Sequence, residues 1–306
     1  GSMGEAVVPD LLERLDASHF LEAAGVHEAL HRIGPDAAAA VGPIVERMSD
    51  QRGDRLWASC YVLEGIGPGA APAVPLLIPI LDQDDFHLQV IACRALAAIG
   101  SDARAAGPTL LKALEKGNVS VQGHAMLALG SIGPIPDHDV AAIIGGRIAE
   151  GQYTVKERAI EALGRFGPHA VSQLAEVDRV LSQPNYNAAI PLWVTRWKIT
   201  GDAAPSLAGL AAAATDIATE LDAVHAVAEL GAAAEPAIEW LLPKLKSEDG
   251  DVVYEAALAL AAIGKKTPQV LEALEQATEN EDEFAADGVR EALRRLTSMQ
   301  ETSSEK

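Results

Sequence analysis

Eight times along the chain a run of apolar and small residues closes on a glycine. HEALHRIG ends at Gly34, YVLEGIG at Gly67, CRALAAIG at Gly100 and LALGSIG at Gly133. IEALGRFG follows at Gly167, VTRWKITG at Gly201, HAVAELG at Gly231 and ALALAAIG at Gly264. A ninth phrase, REALRRLT, puts Thr297 where the others have glycine. These end points lie 33, 33, 33, 34, 34, 30, 33 and 33 residues apart, which is a tandem repeat. A unit of that length cannot bury its apolar face alone, so its neighbours must stack on it.

Each unit reads as two helices. The closing glycine predicts a left-handed helix stop, followed by proline at Pro35, Pro68, Pro134 and Pro168. Pro43, Pro108, Pro205, Pro236 and Pro268 fall in or near first turns, where a missing N–H costs nothing. The first helix is expected over about a dozen residues, as in 71–82 or 235–247, with Pro79 and Pro243 bending it late. Polar turns (QDDF, KGNV, EGQY, QPNY, EDGD) then lead to the second helix. In the third unit Leu88, Ala92, Ala95, Leu96 and Ile99 form one apolar stripe at helical period. The prediction is an all-α, α-α superhelix, a right-handed solenoid of about nine helical pairs over 4–297.

Composition agrees and narrows the partners. Aromatics are 4% and hydrophobic residues 49%, a mixture rich in alanine that suits closely packed helices better than sheets. A net charge of −20, from 24 basic and 44 acidic residues, argues against nucleic acid and against an anionic membrane surface. It fits a partner with a basic patch, and equally a solvated surface. No apolar run reads as the roughly 18 residues that span a bilayer. Gly1-Ser2-Met3 reads as an expression-vector remnant and 298–306 as a frayed tail. The expectation is a monomer, or one module of a larger protein, with a cytoplasmic location favoured.

The unit resembles the HEAT repeat, and among its varieties the HEAT-like repeat of phycobilin lyases, whose second helix runs Val-Arg-x-x-Ala-x-x-Ala-Leu-Gly-x-Ile-Gly. TVKERAIEALGRFG (154–167) and VSVQGHAMLALGSIG (119–133) carry the resemblance, which extends over about 5–297. It implies a binding scaffold, with second helices lining a concave face. A chromophore-handling subunit like those lyases is an alternative that the resemblance also implies.

HEALH itself has the spacing of a zinc-protease helix, with His27 and His31 one turn apart and Glu28 as a candidate base. The repeat offers a plainer origin. His27 aligns with Cys60, Cys93, Met126, Ile160, Val194, Val224, Ala257 and Arg290, a mostly apolar series. The third ligand of the extended protease pattern would fall at 37, which is Ala37; Glu46 and Glu64 are the other conceivable ligands. A second metal reading comes from deoxyhypusine hydroxylase, which this chain resembles in its HEAT-like repeats and which binds iron through several His-Glu pairs. Here only His27-Glu28 is such a pair; the matching positions hold Cys60-Tyr61, Cys93-Arg94 and Met126-Leu127. No cofactor is therefore expected, with a metalloenzyme using His27, Glu28 and His31 as the alternative. Cys60 and Cys93 sit one stacking step apart, roughly 8–10 Å. That exceeds the reach of a disulfide, about 7 Å between Cα atoms, so both read as structural thiols.

Side chains opposite the packing stripe should point into the groove. They are Trp57, Tyr61, Arg94, His124, Glu157, Arg158 and Glu161, then His225, Tyr254 and Glu255. Trp57 and Tyr61 one turn apart beside Arg94 are residue types that dominate binding hot spots. A non-catalytic scaffold holding a protein or peptide is the expected function. The sixth unit breaks the pattern with Pro191, Trp193 and Trp197, which reads as local repacking around two indoles or, alternatively, as a change of curvature that fits a partner.

Overall fold

A computed structural model describes residues 3–17, 20–150, 153–183 and 189–298. The leader Gly1-Ser2, most of the QPNY turn, part of the EGQY turn and the tail beyond Ser298 lie outside the described residues. Among the described residues the chain is a series of helices joined by short turns, with one isolated bridge, between Ile135 and His138, and no strand. This is the all-α repeat solenoid that the period predicts. It divides into two compact units, Gly1–Gln173 and Leu174–Lys306.

The first unit holds α1 (Met3–Ala17), α2 (Phe20–Ile33), α3 (Val41–Met48), α4 (Gly53–Ile66) and α5 (Val74–Leu77). It continues with α6 (Phe86–Ile99), α7 (Gly107–Lys116), α8 (Val119–Ile132), α9 (Val140–Glu150) and α10 (Tyr153–Phe166). The second helices α2, α4, α6, α8 and α10 each pack on the next, and the segments 34–48, 67–82 and 100–116 stack in the same order beside them. The core lies between these two layers. All five stripe residues of the third unit are buried, as are all seven aligned residues from Cys60 to Ala257. Each fully buried Leu or Ile contributes about 1.5–3 kcal/mol relative to exposure.

The second unit holds α11 (Leu174–Leu181), α12 (Ala189–Thr200), α13 (Ala203–Ala213), α14 (Glu220–Leu230) and α15 (Ile238–Leu241). It ends with α16 (Gly250–Ile263), α17 (Pro268–Ala277) and α18 (Glu283–Ser298). Here α14, α16 and α18 stack in series around Val227, Leu230, Leu260 and Val289. Trp193 and Trp197 pack half-buried against this core. Trp193 lies over the backbone of α13: a Cβ on Gly209 would come 2.0 Å from its ring.

Two sequence expectations need correction. All eight stop glycines have positive φ, but the left-handed helical conformation expected of them occurs at Gly264 (φ 74, ψ 11) and not at Gly67 (φ 69, ψ −132) or Gly100 (φ 75, ψ −139). That second corner of backbone space is closed to residues with a Cβ, so the preference for glycine is even stronger than a left-handed stop requires. The first helix also begins earlier than expected. In five units a 3-10 turn starts at the stop glycine itself, as at Gly34–Ala40, Gly67–Ala73 and Gly231–Ala237, before any α-helical turn. Pro79 and Pro243 mark a second change of pitch, since α5 and α15 give way to 3-10 helix at Ile78–Asp82 and Leu242–Lys246. Proline removes an i→i−4 donor, and the tighter ladder absorbs the loss.

The stretch Gly53–Asp82 is also more apolar than the sequence reading allowed. It contains an 18-residue window of mean hydropathy 1.3, enough in length and composition to cross a bilayer. The break at Gly67 divides that stretch, and both arms supply core residues, among them Leu63, Ile66 and Leu77.

Candidate functional site

The predicted groove positions come together most closely on α2, α4 and α6. Gly65 is what lets α2 and α4 approach. A Cβ there would fall 2.5 Å from the His31 carbonyl oxygen and 2.7 Å from its Cα. With no side chain in the way, the His31 imidazole reaches the Tyr61 backbone carbonyl, 2.7 Å from Nδ1. That carbonyl has a second lone pair to offer beyond its helical bond.

The same approach stacks the rings. His31 and Tyr61 lie 3.8 Å apart between centroids at 5°, and Trp57 and Tyr61 5.2 Å apart at 15°. The result is a three-ring stack with Trp57 at its open end, 37% exposed. Such pairs add about 0.5–1.5 kcal/mol beyond burial.

Charges frame the stack. The Tyr61 hydroxyl donates to Glu28 Oε2 at 2.9 Å. That bond raises the phenol's pKa above its ordinary value; burial and the Glu28 and Glu64 charges add to the rise, and Arg94 opposes it. The Arg94 guanidinium donates to Glu64 Oε1 at 2.9 Å, while Glu64 Oε2 is shielded from solvent with no hydrogen-bond partner.

The other candidates are spread out. In the first unit His124 lies 2.8 Å from the carbonyl of Ser120 in its own helix. Arg158 and Arg165 both pair with Glu161, at 3.0 and 2.8 Å, and Glu157 is exposed. In the second unit His225 meets Glu255 at 2.9 Å, and Tyr254 stacks on Phe284 at 4.5 Å, over Gly288. Tyr254 therefore acts as packing between α16 and α18. Sequence reasoning placed Glu28 and His31 in a metal motif and missed their contact with Tyr61. The signal was present in the period, because Glu28 and Tyr61 hold equivalent positions six residues before their glycines.

The metal motif takes a different form in three dimensions. His31 engages Tyr61 through one ring nitrogen and one ring face, and Glu28 accepts from the same residue. Among the described residues no group of three His, Cys, Asp or Glu side chains is placed to share an ion. Cys60 and Cys93 are free thiols, fully buried, and burial pushes both up to about 12. Thiols so protonated are poor nucleophiles and poor attachment points.

Residues 74–164 and 204–294 match the family model described as HEAT repeats. The chain belongs to the HEAT-repeat family. The two matched segments of HEAT repeats leave out the first two units and the irregular sixth, so the aromatic stack lies outside them. A solved structure described as an engineered protein is similar to this HEAT-repeat chain at 20% identity and a TM-score of 0.50. That likeness covers 96% of this chain and 90% of the other, and it shows the fold alone. No curated protein matches.

Proposed function

We propose that these HEAT repeats form a non-catalytic scaffold that docks a protein or peptide on the second-helix layer of residues 1–173, at Trp57 and Tyr61. The observation that carries this reading is the exposed indole at the end of a stack whose members are joined through the close approach at Gly65 and the hydrogen bonds of His31 and Glu28 to Tyr61. Trp and Tyr present large contact area at low entropic cost, and such residues concentrate binding energy. HEAT repeats commonly mediate protein interactions, and the acidic surface favours a partner with a basic patch.

The test is cross-linking followed by affinity capture, with wild type against the Trp57→Ala/Tyr61→Ala double variant. A defined set of cross-linked partners that disappears in the double variant supports the reading. Capture of the same set in equal amounts by both proteins would overturn it.

A further inference from the structure

We propose that the occupant of this stack's open end is an arginine side chain, presented by a basic segment of the partner. This rests on the docking reading above and specifies its chemistry.

Three features converge on a cation. Trp57 offers the most electron-rich ring face among natural side chains, and with 37% of its surface in solvent it is available to a ligand. Glu28 lies one ring away, tied to the Tyr61 hydroxyl but to no cation among the described residues. Arg94, the cation whose charge acts on Tyr61, is held by Glu64. Two carboxylates, Glu28 and Glu64, and one guanidinium, Arg94, thus act on Tyr61, on a chain of net charge −20. An anionic ligand would meet repulsion here, and an apolar one would use the indole but leave the Glu28 charge unanswered.

Arginine fits better than lysine for a geometric reason. The rings of this stack lie within 5° and 15° of parallel, so they extend naturally by one more flat group. A guanidinium is planar, weakly hydrated and able to stack while its N–H fork reaches a carboxylate. An ammonium is a compact, strongly hydrated charge that gains less from a ring face.

The test uses the full chain labelled with nitrogen-15. Its four indole N–H signals (Trp57, Trp193, Trp197 and Trp240) are resolved by NMR, with Trp57 assigned through Trp57→Phe. Four acetylated, amidated nonapeptides are titrated in, identical except for three positions that are all Arg, all Lys, all Leu or all Glu. The expected result is saturable movement of the Trp57 signal with the Arg peptide, while the other three indoles stay in place. The Lys peptide binds more weakly, and the Leu and Glu peptides leave the signal unmoved. Glu28→Gln keeps an oxygen for the Tyr61 hydroxyl but removes the charge, and should weaken the Arg peptide about five-fold.

A Trp57 signal that ignores the Arg peptide overturns the proposal. So does equal binding of the Lys or Leu peptide, or unchanged affinity in Glu28→Gln. The peptide titration requires no natural partner, so the two readings fail separately. Loss of cross-linked partners in the double variant alongside a silent Arg peptide would sink this inference and leave the docking reading standing.

Discussion

At the scale of single residues, the close approach of α2 and α4 depends on a glycine, Gly65. Alanine in place of an interior helical glycine usually stabilises by up to about 1 kcal/mol. At Gly65 the sign should reverse, because the new Cβ meets the backbone of α2, which cannot rotate away. Gly65→Ala is expected to cost about 1–3 kcal/mol, and to lower the Tyr61 pKa towards its ordinary value as the contact with α2 loosens. Gly146→Ala is the control: nothing among the described residues lies within 4 Å of a Cβ there, and a gain of about 0.5–1 kcal/mol is expected. Urea titrations of both variants check the pair. Stabilisation by both would show that the close approach of α2 and α4 does not matter. The period made Leu30 and Gly34 readable as stripe and stop, but the role of His31 was hidden. A histidine one turn from another looks the same in one dimension whether it serves a metal or a neighbouring ring.

At the scale of elements, the positions of the polar turns were legible, and the residues that cap the helices after them are seen in the structure. Asp85, Asn118 and Asp249 in those turns, and Thr267 after the Gly264 stop, each cap a helix, accepting from backbone N–H groups within the first turn. Asp85 accepts two, from His87 at 3.0 Å and Leu88 at 3.2 Å. Asp85→Ala should therefore cost about 1 kcal/mol, and Asp85→Asn much less. Thermal denaturation of the two variants measures the difference, and equal losses would mean that the side-chain bonds contribute little. The 3-10 stretches were not legible. Their residues are largely Gly, Pro and Ala, which lie as well in an i→i+3 ladder as in an i→i+4 ladder, and only packing against the neighbouring unit selects the tighter one. The ψ values of the stop glycines were hidden for a similar reason: glycine announces that φ is positive and says nothing more.

At the scale of the whole molecule, the period established the architecture and left the chemistry almost blank. The stripe positions recur because every unit must bury them, whereas the exposed positions are free of that packing constraint and vary. One property of the whole chain can still be derived from its core. Cys60 and Cys93 have thiol pKa values of about 12 in the folded protein against 9.0 for an ordinary thiol. Above pH 9 the unfolded chain releases two protons that the folded chain keeps, so stability is complete below that pH and declines as pH rises towards 12. Urea midpoints should fall across this window, and the slope should flatten in Cys60→Ala/Cys93→Ala whatever the double variant costs at neutral pH. An unchanged slope would place the alkaline loss elsewhere. The stop glycines have one further consequence. A helix turns its side chains by about 100° per residue, so a deletion inside α4 or α6 would swing the exposed face away from its neighbours. The next glycine restarts the count, and a change of length between a stop and the following cap therefore leaves later faces in phase. The seventh unit, three residues short, still delivers His225 to Glu255 on the next helix. Such a chain can drift in length at its turns across evolutionary time without losing the alignment of the surface it presents.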